Sequence, residues 1–335
     1  MSEQSFKALV LRQEDEKTQA AIESLTDADL PEGDVLVAVE YSDLNYKDAM
    51  AVTGAGPIVR TWPMVPGIDL AGAVVESNSD DYAPGDKVVL TGWGVGERYW
   101  GGYAQRQRVK SEWLVPLPEG LDTRTAMVIG TAGFTAMLCV QRLEDAGLTP
   151  ADGPVLVTGA SGGVGSVAIA ILAHLGYEVA ALTTSTDEDL HAYLRELGAS
   201  EIVPAPDADA KPKPLAKGRW AGAVDTVGSK VLAHVLSEMA YGGRVAACGL
   251  AAGPDLPATV MPFILRNVSL LGVDSVVCPI EPRQRAWQRL VKDLPEAALE
   301  AITDTATLEQ VPERAADMMA NRTRGRILVD VGASS

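Results

Sequence analysis

The sequence predicts an α/β protein in which a doubly wound parallel sheet is joined to a smaller, mostly β unit. Three observations carry that prediction. Residues 1–124 hold short alternating apolar runs introduced by Pro/Gly turns, the pattern of a small barrel-like β unit. From there on, apolar runs alternate with stretches of helical periodicity, as in a parallel sheet wrapped by helices. Between the first such run and its helix lies the glycine-rich turn Thr158-Gly159-Ala160-Ser161-Gly162-Gly163-Val164-Gly165. A length of 335 residues suits two domains, and a hydrophobic content of 47% supplies their cores.

Taken in order, Pro31-Glu32-Gly33-Asp34 introduces a strand at 35–39, Pro66-Gly67 one at 73–76, and Pro84-Gly85-Asp86 one at 87–90. The run 154–158 is apolar throughout, as expected of a strand buried on both faces. Val164, Val167, Ala168, Ile171, Leu172 and Leu175 recur at helical spacing after it, and 177–182 is the next strand. Leu190, Tyr193, Leu194 and Leu197 mark a helix stopped by Gly198. Further strands are expected at 201–203, 221–225, 244–248 and 268–273. The segment 204–219 carries four prolines and is expected to be an exposed loop. A helix over 285–294 then leads to a terminal strand at 326–329.

A formal charge of −17 argues against nucleic acid or an anionic membrane surface as the main partner, because neutralising phosphates needs a basic face. Cys139, Cys248 and Cys278 are widely spaced, so neither a disulfide framework nor a zinc knuckle can be read from them. The N-terminus has no basic and apolar leader pattern, and no apolar run approaches the ~18 residues of a membrane span. A cytoplasmic protein of a reducing compartment is expected.

The glycine-rich turn has the chemistry of a pyrophosphate cradle. Gly162 admits a close approach of backbone to phosphate, Gly165 permits tight helix–strand packing, and the helix start presents N–H groups and a partial positive charge. Ala160 stands where the usual pattern has its first glycine. The adenosine ribose should meet the end of the next strand, where the sequence has Thr183-Thr184-Ser185 and no carboxylate before Asp187. Hydroxyl donors in place of an acid favour NADP over NAD, although the same residues also suit a helix N-cap.

These features, with Asn45-Tyr46-Lys47-Asp48, Pro66-Gly67-Ile68-Asp69-Leu70-Ala71-Gly72, Gly130-Thr131-Ala132-Gly133-Phe134-Thr135-Ala136 and Val224-Asp225-Thr226-Val227-Gly228, make the chain resemble the medium-chain dehydrogenase/reductase superfamily over nearly its whole length. Within it the chain is similar to the zinc-independent quinone-oxidoreductase branch. More narrowly it resembles the NADPH-dependent acrylyl-CoA reductases, through Thr91-Gly92-Trp93-Gly94-Val95-Gly96-Glu97, Trp100-Gly101-Gly102, Ala247-Cys248-Gly249-Leu250-Ala251, the segment 260–268 and Gly272-Val273-Asp274-Ser275-Val276. The resemblance implies a GroES-like catalytic domain over 1–124 and 275–335 and a Rossmann domain over 125–274.

Zinc is tested on the residues themselves. A catalytic zinc needs about three Cys, His or carboxylate ligands. Gly67-Ile68-Asp69 stands where zinc alcohol dehydrogenases have Gly-His-Glu, and His174, His191 and His234 all fall in expected helices, as surface or packing residues. No metal is expected.

The resemblance places Tyr46, on a loop after a strand, beside the nicotinamide, and brings Arg326 and Arg283 to the cofactor. Asn45, Asp48, Tyr46 and Arg326 are the candidate catalytic residues. For Asn45 and Asp48, a structural role in capping or turn hydrogen bonds weighs equally; for Arg326, the alternative is a surface arginine. Thr131, Ser161, Gly162, Gly163, Val164, Thr183, Thr184, Ser185 and Cys248 complete the expected cofactor contacts, Cys248 as a small wall rather than a nucleophile. Asp69 is expected in a turn or supporting position, and Asp225 is expected to face the cofactor crevice.

The implied activity is hydride transfer from NADPH to the β-carbon of acrylyl-CoA, giving propionyl-CoA without a metal. Two alternatives stand beside it: a general quinone or alkenal reductase acting on a free enone, and a nucleotide-binding sensor without turnover. The superfamily's habit of pairing the last Rossmann strand across a two-fold suggests a homodimer through residues 267–273.

Overall fold

The computed structural model describes residues 5–207 and 210–333. Two compact units emerge, one of Met1–Thr131, Ser275–Gln284 and Thr303–Ser335, the other of Ala132–Asp274 and Arg285–Ile302.

Along the first unit run β1 (Phe6–Glu14), β2 (Lys17–Leu25), β3 (Val35–Leu44), α1 (Tyr46–Thr53), β4 (Asp69–Ser77), β5 (Lys87–Thr91), β6 (Arg106–Val109) and β7 (Val115–Pro116). Helix α2 (Thr123–Asp145) follows. The second unit carries β8 (Val155–Val157), α3 (Gly163–His174), β9 (Val179–Thr183), α4 (Glu188–Glu196), β10 (Glu201–Pro204), β11 (Trp220–Asp225), α5 (Ser229–Glu238), β12 (Met239–Ala247), α6 (Met261–Arg266) and β13 (Ser269–Gly272). After α7 (Ile280–Asp293) and α8 (Glu296–Ile302), the chain completes the first unit with β14 (Thr303–Thr307), α9 (Val311–Met319) and β15 (Arg326–Asp330).

The second unit is a six-stranded parallel sheet in the order β10-β9-β8-β11-β12-β13. Val155, Leu156 and Val157 of its central strand β8 are all buried, which explains the continuous apolar run in the sequence. In the first unit a seven-stranded sheet has the order β14-β15-β3-β4-β5-β7, with β6 on the other side of the β3 ladder and a separate β1-β2 hairpin. Its core is aliphatic, built on Leu9, Leu11, Val35, Leu36, Leu70 and Leu90.

Two expectations are corrected. Tyr46 is not on a loop but opens helix α1, because the Asp48 carboxylate accepts the Asn45 backbone N–H at 3.0 Å and closes the helix start. Residues 285–302 do not belong with the first unit. Trp287 stacks on Phe134 with centroids 6.1 Å apart, and Arg289 pairs with Glu144, so α7 from Arg285 onward packs on the part of α2 that lies in the second unit. Helix α7 also begins earlier than expected, at Ile280, since Pro282 in the first turn removes no hydrogen bond the helix needs. Between Pro204 and Trp220 the described residues form no helix or strand, as the prolines imply.

Helix α2 is long and apolar enough to cross a membrane by length and composition, yet 89% of that window is buried in the protein. Its axis breaks at Gly130 (φ 49°, ψ −161°), a conformation essentially confined to glycine. It is a core helix.

Candidate functional site: a buried carboxylate lock and a glycine cradle

In the first unit the ends of β3, β4 and β15 converge with the start of α1. Asp43, Asn45, Asp48, Asp69 and Arg326 are all buried there. Arg326 donates to the Asn45 Oδ1 at 3.1 Å and the Val128 carbonyl at 2.9 Å, and it forms an ion pair with Asp43. The Asn45 amide donates to Asp43 Oδ1 at 2.6 Å and Asp69 Oδ2 at 2.9 Å. Asp69 in turn accepts both the backbone N–H (2.7 Å) and the hydroxyl (2.6 Å) of Thr131. Asp48 accepts the backbone N–H groups of Asn45 and Ile68, at 3.0 and 2.9 Å.

Of the three buried carboxyl groups, Arg326 pairs directly with Asp43. Burial, and then the Asp69 charge, push Asp43 well above the ordinary carboxylate range against the pull of Arg326. The same two causes push Asp48 up to about 7, with its two backbone N–H partners pulling the other way. The Tyr103 hydroxyl, which donates to the Asp43 carbonyl at 2.9 Å, is also driven upward by burial. Gly130 lies against the lock. A Cβ there would fall on the Asp43 carboxylate and within 2.6 Å of Arg326 Nη2.

This geometry decides several expectations. Arg326 is no surface residue: it is 2% exposed, and its charge is spent on Asp43. Asn45 and Asp48 make the hydrogen bonds of the structural alternative, tying Asp43, Asp69 and Ile68 to the start of α1. Asp69 supports Thr131. Tyr46, by contrast, is 47% exposed, with its hydroxyl available to a bound molecule. Arg283 is corrected. All five of its N–H groups point at protein oxygens, namely Thr91 O and Oγ1, Cys278 O, Ser275 O and Val276 O, and its guanidinium packs on the Trp93 ring 5.0 Å away. It fastens residues 275–278 to β5 instead of serving a cofactor.

The second unit carries the glycine loop where the sequence puts it, between β8 and α3. A Cβ on Gly165 would overlap the Gly159 carbonyl and lie 2.8 Å from Ala160 Cα, so that glycine is required by the fold. Gly162, in contrast, is exposed, and a Cβ there meets only the Gly159 carbonyl, at 3.3 Å. Its side-chain space is left to a ligand. Ser161, Gly163 and Val164 are half-buried beside it, and the first N–H groups of α3 have no partner within the helix. This cradle fits a pyrophosphate.

At the end of β9, the Thr183 hydroxyl oxygen accepts the Ser185 N–H at 3.1 Å, and the Ser185 hydroxyl accepts the Asp187 N–H at 3.1 Å. Asp187 caps α4 through Asp189 N–H at 3.0 Å. Both hydroxyl groups therefore keep their protons for another acceptor, and Thr184 is exposed.

Asp225 is corrected. Instead of facing a crevice it is fully buried, accepting Thr158 Oγ1–H and Gly228 N–H at 2.8 Å each, which ties the ends of β8 and β11 together. Cys248 lies one residue past β12, with its N–H on the Asp225 carbonyl. The neighbouring Cys248 sulfur, and then burial, raise the Cys139 thiol.

Sequence reasoning missed Asp43, for which an acidic residue within the apolar β3 segment was the available signal; it reads Gly130 only as part of a family motif and His191 as a surface or packing residue.

The donor set does not fit a zinc ion. Ile68 is apolar, the Asn45 amide and the carboxylates of Asp43 and Asp69 are consumed by one another and by Arg326 and Thr131, and no group of three potential ligands occurs among the described residues.

Residues 31–119 match the alcohol dehydrogenase GroES-like domain family, and residues 163–294 match the zinc-binding dehydrogenase family. The chain is 57% identical to the acrylyl-CoA reductase AcuI of Ruegeria pomeroyi over 331 residues, which is 98% of this chain and 100% of that one. It is 46% identical to the putative quinone oxidoreductase YhfP of Bacillus subtilis over 326 residues, 97% and 98% of the two chains. The crystal structure of YhfP with NAD bound superposes with a TM-score of 0.94 at 45% identity, covering 98% and 99% of the chains. The yhdH oxidoreductase of Salmonella enterica in complex with NADP also gives a TM-score of 0.94, at 57% identity and 97% and 99% coverage.

Proposed function

The chain belongs to the medium-chain dehydrogenase/reductase superfamily, and on that premise we propose that it is an NADPH-dependent acrylyl-CoA reductase producing propionyl-CoA. The observation that carries this is the 57% identity to an acrylyl-CoA reductase along the full length of both chains. When bound, NADPH would supply a hydride to the electron-poor β-carbon of the substrate, becoming NADP⁺, and a proton taken up at the α-carbon would complete propionyl-CoA.

The chain's own residues supply binding and electrostatics. Ser161, Gly162, Gly163 and Val164 hold the pyrophosphate, and the hydroxyl groups of Thr183, Thr184 and Ser185 receive the 2′-phosphate. Tyr46 and Thr131 meet the nicotinamide half, and Cys248 forms a wall. The exposed Tyr46 hydroxyl donates to the thioester oxygen as negative charge develops on it. Asn45, Asp48 and Arg326 are positioning residues. Their buried bonds keep the start of α1, and hence Tyr46, in one place.

The 46% identity to a putative quinone oxidoreductase favours a second reading, reduction of a free quinone or enone. NADPH consumption measured with acrylyl-CoA, with a free quinone and without acceptor decides between them. Rapid turnover with acrylyl-CoA alone supports the first; turnover only with quinone replaces it; coenzyme binding without turnover identifies a sensor.

Among the described residues strand β13 ends its sheet and pairs only with β12, while Val260, just before the neighbouring α6, and Ile264 and Leu265 on it are exposed, Ile264 by 73%. A second copy, adding its own β13 edge to edge, covers both features, so a homodimer is part of the proposal; light scattering giving a monomer mass refutes it. The cytoplasmic location is also proposed, in keeping with three free cysteines and a reaction that consumes NADPH.

A further inference from the structure

We propose that His191 is a positioning residue for coenzyme choice: from helix α4 it pins the turn 183–185 in the form that receives the coenzyme's 2′-phosphate. The inference rests on the NADPH assignment above and adds a residue to it.

The turn has no arginine or lysine, and Asp187, Glu188 and Asp189 follow it directly. The turn itself offers no charge to a phosphate, so its own contribution to the choice is the geometry of its hydroxyl groups. His191 supplies the constraint. Its Nε2 lies 2.9 Å from the Ser185 carbonyl oxygen. A carbonyl only accepts, so Nε2 carries the proton and donates. The imidazole is 16% exposed, with Glu188 3.7 Å from Nδ1, so the ring packs beneath the turn rather than in solvent.

The peptide of Ser185 is consequently held at both ends, its N–H by Thr183 Oγ1 and its C=O by His191. The Ser185 hydroxyl oxygen is held as well, by the Asp187 N–H. With one acceptor lone pair of each occupied, the hydroxyl groups of Thr183 and Ser185 are left as donors in a turn whose backbone is already fixed. A phosphate ester, with its several anionic oxygens, matches such donors better than a ribose hydroxyl does. Removing the imidazole frees the Ser185 carbonyl and lets the turn rotate, which penalises the phosphate contact and leaves the adenosine contact intact.

Calorimetric titration with 2′,5′-ADP and with 5′-AMP tests this without any turnover. The wild-type chain binds 2′,5′-ADP more tightly. In His191→Leu the ratio of the two affinities shrinks roughly 5- to 10-fold, the worth of one neutral hydrogen bond, while the Kd for 5′-AMP stays within about twofold. In His191→Gln, whose amide can still donate, most of the ratio returns. An unchanged ratio in His191→Leu overturns the inference, and equal weakening of both probes shows a merely structural residue, which overturns it too. A wild-type chain with no preference for 2′,5′-ADP instead refutes the NADPH assignment, so the two failures are distinguishable.

Discussion

Replacing Gly130 by alanine tests the buried lock directly. The residue sits at φ 49° and ψ −161°, where an L side chain costs about 1–3 kcal/mol. The added methyl also lands on the Asp43 carboxylate that pairs with Arg326. Separating a buried ion pair costs about 3–5 kcal/mol, because an uncompensated charge is left behind. The total, about 4–8 kcal/mol, approaches the whole stability of an ordinary domain. Gly85→Ala is the control: its φ is 96°, equally left-handed, but a Cβ there meets nothing within 4 Å. That substitution should cost only the backbone strain, about 1–2 kcal/mol. At about 2–4 °C per kcal/mol for a unit of this size, thermal unfolding followed by circular dichroism should show Gly85→Ala losing a few degrees. Gly130→Ala should lose about 10 °C or more, or fail to accumulate as folded protein. Equal shifts for the two variants would refute the reasoning, since the lock would then yield to a methyl group at no cost.

Gly162→Val should cost only a few degrees in thermal midpoint, because a Cβ there meets just the Gly159 carbonyl, 3.3 Å away, which has to give slightly, yet weaken NADPH binding about tenfold or more; unchanged calorimetric binding means the phosphate site lies elsewhere. Ser185→Arg should widen the preference for NADPH over NADH in kcat/KM by roughly 10- to 100-fold, since a charge-assisted hydrogen bond is worth about 1.5–3 kcal/mol, and a narrowed preference would contradict the placement of the 2′-phosphate. Stability should fall as pH rises from about 4 towards 7: Asp48 and Asp225 are pushed upward by burial, so in that window the folded chain holds protons the unfolded chain has released. Carboxylates held low, such as Glu40 and Asp122, act oppositely but below about pH 4, and the Asp48 contribution alone reaches about 1.4 kcal/mol per pH unit. Thermal midpoints that climb steadily between pH 5 and 8, or an Asp48→Asn variant with the same slope, would contradict this.

By itself the sequence determined the elements whose causes are local. The apolar run at 154–158 and the recurrence of Val164, Val167, Ile171 and Leu175 both reflect one residue's spacing from the next, so strand β8, helix α3 and the cradle between them were readable in advance. So was the absence of an acid at the end of β9. Only the tertiary structure decided where long side chains go. Arg326 meets Asp43 across 283 positions and Arg283 meets Thr91 across 192; each could as well have faced a phosphate, and composition does not distinguish a guanidinium buried against carboxylates or carbonyls from one left for a ligand. Tyr46 was misplaced on a loop because its helix start depends on Asp48 turning back to the Asn45 N–H. The resemblance puts residues 285–302 with the first unit, whereas the stacking of Trp287 on Phe134 and the pairing of Arg289 with Glu144 put them in the second. Periodicity specifies which face of an element is buried; which partner buries it is settled by packing between segments far apart in the chain.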